Sequence, residues 1–238
     1  MEKFDRKHTH KVSIIIPCRE VDAHAKRCIQ YCRLLPYREN YSREIIIIPD
    51  SICPGFPATK RNYGMQIATG DIFAFIDSDA YPAKDWLDRA MEHLQYHPAV
   101  CGPGVLPPDA PLHEKAADLV LQLMPYGYRV APKKARICAE FPTFNLVVWR
   151  KAATPFENYL TGEDSLFCRK IKEGIYYSPD IIVYHSRRPL WRPFWKQVSI
   201  YGQHRGHFIR LALIGWISIN FTYVLNFFRG LFMKEIDK

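Results

Sequence analysis

No Cys-x-x-Cys pair occurs among the seven cysteines, at positions 18, 28, 32, 53, 101, 138 and 168. An odd number at such spacings argues against a disulfide framework and against a structural zinc site. The first residues, Met1 to His8, have no apolar core and do not read as a signal peptide, so a cytosolic domain is expected. No glycine falls in Pro17-Cys18-Arg19-Glu20, directly after the first apolar run. That absence speaks against the Gly-rich, Lys/Arg-bearing loop of a nucleotidyltransferase. Acidic residues are missing from Ser186 to Arg210, and internal repeats and low-complexity segments are missing throughout.

The 48% hydrophobic and 14% aromatic fractions exclude a disordered chain, and 238 residues suffice for one domain with an appendage. Short apolar runs at Val12 to Ile16, Glu44 to Ile48 and Ile72 to Ile76 have the pattern of strands buried on both faces. Helical segments at Ala23 to Leu35, with Asp22 as cap, and at Ala58 to Ala68 lie between them. Strand, helix, strand, helix, strand predicts a parallel α/β sheet with right-handed crossovers. Further helices are expected over 84–96, 116–124 and 163–173, strands over 100–106, 145–149 and 175–184, and a mobile loop over 125–142.

In such a sheet ligands sit beyond the carboxyl ends of the strands. Three strand ends converge there: Pro17-Cys18-Arg19-Glu20, Asp50-Ser51 and Asp77-Ser78-Asp79. Two carboxylates one residue apart can share a hard divalent cation through oxygen ligands. Asp and Ser also favour turns for their own reasons, and both readings stand at this point.

The net charge of +9 is concentrated late, in Arg187, Arg188, Arg192, Lys196, Arg205 and Arg210. Trp191, Phe194, Trp195, Tyr201 and Phe208 are interleaved with them, a composition suited to nucleic acid or to a membrane interface. Leu211 to Phe228 follows without a formal charge. At ~1.5 Å per residue it falls just short of a bilayer core, and its Ser, Thr and Asn residues suit a shallow or re-entrant helix. The basic residues before it place that side in the cytosol.

Taken in order, these motifs resemble the family 2 glycosyltransferases of the GT-A fold, over roughly residues 10 to 205. Val-Ser-Ile-Ile-Ile-Pro at 12–17 is similar to the family's opening strand, and Glu44 to Ser51 to its second, with Pro49 where a first Asp is usual. Lys60-Arg61-Asn62, Gly70-Asp71, Asp77-Ser78-Asp79, Gly162-Glu163-Asp164 with Arg169, and Val183-Tyr184-His185 continue the series. Gln197, Tyr201-Gly202 and Arg205 resemble the stretch that follows the base.

The resemblance implies a Rossmann-like, mostly parallel α/β domain over 1–185, with a donor half at about 10–107 and an acceptor half at about 108–185. A basic-aromatic arm and an apolar membrane-associating helix at about 208–230 make up 186–238. It implies transfer, with inversion, from a nucleoside diphosphate sugar (a UDP-sugar expected) to a hydroxyl of a lipid-linked or membrane-surface glycan. A polyprenyl-phosphate sugar synthase, a non-enzymatic basic membrane- or nucleic-acid-binding protein and an inactive scaffold are the alternatives. Asp164 is the implied base with Glu163 beside it, although a carboxylate at a helix start also serves as a cap. Mg2+ or Mn2+ is expected on Asp79 with Asp77 and His185. Pro17, Arg19, Glu20, Asp50, Lys60, Arg61, Asp77 and Ser78 are expected along the donor, and Gln203 and Arg205 at the acceptor or diphosphate. No nucleic acid partner is expected. The expected location is the inner face of the cell membrane, contacted through 186–233.

Overall fold

A computed structural model describes residues 9–123, 126–158 and 162–187. In chain order the elements are β1 (His10–Pro17), α1 (Ala23–Leu34), β2 (Tyr41–Ile48), α2 (Pro57–Ile67), β3 (Ile72–Ile76), β4 (Ala80–Pro82), α3 (Trp86–Leu94), β5 (Ala99–Cys101), β6 (Gly104–Val105), α4 (Leu112–Gln122), β7 (Arg136–Cys138), β8 (Asn145–Trp149), α5 (Glu163–Arg169), β9 (Ile175–Tyr177) and β10 (Val183–His185). The chain divides into two compact units, Met1–Val105 with Pro132–His185, and Leu106–Ala131 with Ser186–Lys238.

The first unit is a mixed α/β sheet flanked by helices. Seven strands run in the order β2-β1-β3-β8-β5-β9-β7, and a second sheet holds β4-β10-β6. β1 pairs in parallel with both β2 and β3, as the apolar runs predict, whereas β8 enters antiparallel between β3 and β5. Every residue of β3 is buried, so its apolar run is used on both faces.

Helix α1 starts where the Asp22 carboxylate accepts from the Ala25 amide at 2.8 Å, and it buries Ala25, Cys28, Ile29 and Cys32. Helix α2 lies close on β1 because residue 64 is glycine: a Cβ there would stand 2.6 Å from Ile15 Cγ2. Helix α3 turns Trp86, Leu87, Ala90, Met91 and Leu94 inward. The Trp86 indole donates to Asn145 Oδ1 at 2.9 Å, and the Trp149 indole donates to Leu94 O at 3.0 Å. Asn145 Nδ2 in turn bonds Gly102 O and Ile181 O, so one buried amide joins β8 to the chain after β5 and before β10. Truncating a fully buried Trp costs about 3–5 kcal/mol, which makes Trp86 a principal support of this core.

Several expected boundaries shift. The run over 100–106 is two strands in two sheets, broken at Gly102-Pro103, and 175–184 divides likewise into β9 and β10. Helix α4 begins at Leu112, directly after Pro111, four residues earlier than expected. Helix α3 occupies only the middle of 84–96. Helix α5 stops at Arg169, and Gly174 at φ +73° turns the chain before β9. The segment expected as a mobile loop holds a 3-10 turn at Gly127–Arg129 and the edge strand β7, paired antiparallel to β9. Among the described residues no helix is long and apolar enough to cross a membrane. The expected arm beyond Arg187 and the apolar helix lie outside the described residues.

Candidate active site

The site forms where β3 ends. Ile76 closes the apolar run, Asp77-Ser78-Asp79 turns with the Ala80 amide on Asp77 O at 3.0 Å, and the chain re-enters at once as β4. β4 pairs antiparallel with β10 so that Ala80 stands opposite His185. That register brings the imidazole to the carboxylates: His185 Nε2 is 3.6 Å from Asp79 Oδ1. One ligand atom each from Asp77, Asp79 and His185 lie within 4.8 Å of one another. Two hard oxygen donors and one imidazole, with room left for phosphate oxygens or water, fit a divalent cation of the Mg2+ or Mn2+ kind.

Behind this triad Arg61 of α2 is buried, at 4% exposure. Its guanidinium donates to Asp77 Oδ1 at 2.9 Å, Glu163 Oε1 at 3.2 Å and Asp164 Oδ1 at 3.3 Å. It also lies 5.6 Å from the centroid of the Phe156 ring, which stacks on Phe167 at 4.1 Å. Arg61, read in the sequence as a donor-site residue, is directed at three carboxylates that surround its position on α2. Lys60 does likewise, pairing with Asp50 and donating to Gly55 O at 3.1 Å. The carboxylate that remains at the end of β2 is thus held by a buried ammonium, while Arg19 and Glu20 stand exposed beyond β1. The Arg19 carbonyl accepts from the Asp50 amide at 2.9 Å, tying the first two strand ends together. Pro17 closes β1 opposite Ile48, and Ser78 is half-buried between the two aspartates.

Gly162, at φ +86°, precedes helix α5 and lets Glu163 and Asp164 open it toward Arg61. Gly162 offers no capping side chain, and the first-turn carboxylates of Glu163 and Asp164 both meet Arg61. Burial raises the Glu163 carboxyl to about 7; the charge of Asp164 adds to this and Arg61 opposes it. Burial likewise raises Asp77, with Arg61 pulling down and Asp79 pushing up. One guanidinium is too little positive charge for so many carboxylates.

Thr143 carries no sequence signal, and Asn62, part of the Lys60-Arg61-Asn62 motif, has a role that only the structure shows. Thr143 is buried and holds Asp164 twice, from its hydroxyl to Oδ1 at 2.8 Å and from its amide to Oδ2 at 3.2 Å. Asn62, next to Arg61, exchanges two 2.8 Å bonds with the backbone of Phe156, which carries the ring beneath the guanidinium. A hydroxyl before a strand carries no local signal, whereas an Asn offers both donor and acceptor to the backbone of one residue. Gln203 and Arg205 lie outside the described residues.

The family model described as glycosyl transferase family 2 matches residues 55–154, which span the Arg61 helix, the Asp77–Asp79 turn and β8. The pre-mycofactocin glycosyltransferase of Mycobacterium tuberculosis is 26% identical over 162 residues, covering 61% of this chain. The chain spans about a third (33%) of the length of that curated relative. The mannosyltransferase PcManGT from Pyrobaculum calidifontis, solved with GDP-Man and Mn2+, superposes with a TM-score of 0.58 at 16% identity, over 95% of this chain and 74% of its own. S. aureus TarS 1-349, solved with UDP-GlcNAc, gives 0.57 at 15% identity, over 87% of this chain and 66% of its own. At these identities the likeness establishes the fold, which is GT-A.

Proposed function

We propose that this chain, whose residues 55–154 carry the family 2 glycosyltransferase pattern on a GT-A sheet, transfers a sugar from a nucleoside diphosphate donor to a hydroxyl with inversion. The observation that carries the reading is the buried guanidinium of Arg61, which joins the Asp77–Asp79–His185 cluster to the Glu163–Asp164 pair. A cation-binding group and a candidate base are thereby fixed to one strand edge.

In a single displacement the acceptor oxygen bonds to the anomeric carbon as the bond from that carbon to the diphosphate oxygen breaks. The acceptor proton passes to a carboxylate on the opposite face, and Asp164, the more exposed of the pair, takes it. Thr143 and Arg61 hold that carboxylate in one orientation, so little rearrangement is needed at the moment of transfer. Asp77, Asp79 and His185 would hold the divalent cation, which when bound supplies positive charge against the departing diphosphate. The neighbours' bound UDP-GlcNAc and GDP-Man support a nucleotide-sugar donor without choosing the base.

The presence of a carboxylate base favours a hydroxyl acceptor over a phosphate, which would need no base. The basic-aromatic sequence from Ser186 to Arg210 and the uncharged run from Leu211 to Phe228 support an acceptor that is lipid-linked or at the cytosolic membrane surface. The test is a thermal-shift titration with UDP, GDP, dTDP and CDP, each with Mn2+ and with chelator. One nucleotide should raise the melting temperature only with metal, by mass action, and Asp79→Ala should abolish the rise. No metal-dependent shift with any of the four would overturn the reading.

A further inference from the structure

Helix α4, in the second unit, carries its two acids on one side. Glu114 accepts the Arg187 amide at 2.7 Å, and Asp118, buried, accepts from Arg187 Nε at 2.7 Å. Arg187 Nη2 also reaches Val130 O at 3.4 Å. Both acids of the helix are thus turned inward and spent on the first described residue of the basic segment. At about 100° per residue the three leucines 112, 119 and 123 fall within an arc of about 40°, roughly opposite the two acids. All three are exposed, Leu112 at 82%, Leu119 at 47% and Leu123 at 38%. His113 and Lys115 flank them, also exposed, and Glu114 and Asp118 are the helix's acids.

We propose that the outer face of α4 docks on an anionic lipid surface, with the leucines entering the interface and Lys115 meeting the headgroups. The inference rests on the membrane reading made above and adds a second contact to it. A helix of 11 residues is ~16 Å long, too short to span, and suited to lie in the plane of the interface. Charge complementarity selects the occupant: the helix presents Lys115 beside its leucines while its own two acids pair with Arg187, and an apolar stripe with a lysine at its edge fits an anionic bilayer. Arg187 adds continuity, since it fastens the start of the acid-free segment to the inner side of the same helix.

The experiment is vesicle flotation of the full chain, using phosphatidylcholine with and without phosphatidylglycerol. The wild type should float with anionic vesicles, and Leu112→Glu with Leu119→Glu should lower the floated fraction several-fold. The double variant should keep the wild-type melting temperature and its nucleotide-dependent shift. Leu34→Glu, at an exposed leucine of α1, should float as the wild type does. Unchanged flotation of the double variant would overturn the α4 surface while leaving the basic segment as the membrane contact. Absence of wild-type flotation would overturn the membrane reading too, and the nucleotide shift would still report separately on transfer. Equal binding to neutral vesicles, an equal loss in Leu34→Glu, or a wild-type dimer that the double variant dissociates would each overturn the proposal.

Discussion

Two polar clusters lie along the same sheet, and they balance charge in opposite ways. Toward the start of β1 and β2, Glu44 accepts from Ser13 Oγ at 2.6 Å and from the Thr69 amide at 2.7 Å, with Lys11 Nζ at 3.0 Å. Desolvation works against that carboxylate, yet the Ser13, Thr69 and Lys11 donors hold it down at about 2. One anion has one cation and several donors, and the cluster acts as a staple. Beyond β3, Arg61 serves Asp77, Glu163 and Asp164 together, and Glu163 is pushed up to about 7. A balanced cluster locks strands; in one short of positive charge a carboxyl keeps its proton to higher pH.

Removing the cation from the unbalanced cluster should have the largest effect. Arg61→Met leaves buried carboxylates without their partner and should cost about 3–5 kcal/mol in urea unfolding. A loss below about 1 kcal/mol would show that the acids find compensation elsewhere, and the contrast would fail.

Glu163→Gln sharpens the contrast through pH. The folded chain keeps the Glu163 proton to about 7, whereas an unfolded glutamate loses it near 4.5. Between those values the folded state binds more protons, so this group's contribution to stability falls as pH rises. The glutamine variant should lose that decline in melting temperature between pH 4.5 and 7.

Glu44→Gln should show the opposite sign and the smallest effect. Its carboxyl titrates near 2 folded against 4.5 unfolded, so its contribution is present above 4.5 and is lost as the pH falls toward 2. The variant should flatten that acid limb by no more than about 1 kcal/mol, since the pair is partly solvated. A larger loss than that of Arg61→Met would reverse the ranking.

Much of the site was legible because its residues stand where apolar runs stop. Ile72 to Ile76 announces a strand, and Asp77 to Asp79 must then lie at its exit. The Gly162-Glu163-Asp164 start of α5 and His185 at the end of β10 were readable for the same reason. What stayed hidden depends on contacts distant in sequence. Nothing near residue 185 says that β10 will pair with β4 in the register that faces His185 with Ala80. Arg61 and Lys60 read in the sequence as donor-site residues, and nothing local shows that acids from α5, the β3 exit and the β2 exit close over them. The three-residue strand β7, with Arg136 and Ile137 exposed, has too few positions to show alternation.

The amide of Asn145 has a consequence for how the sheet can be watched. Its bond to the Trp86 indole, and that of the Trp149 indole to Leu94, place two ring N–H protons in the buried core. Such protons meet solvent deuterium only when the surrounding sheet opens. Their indole resonances should be among the last to fade in deuterated water, and at a common rate if β8 opens as one unit. The molecule thus carries two internal clocks for the separation of its central strands, each readable without adding a label.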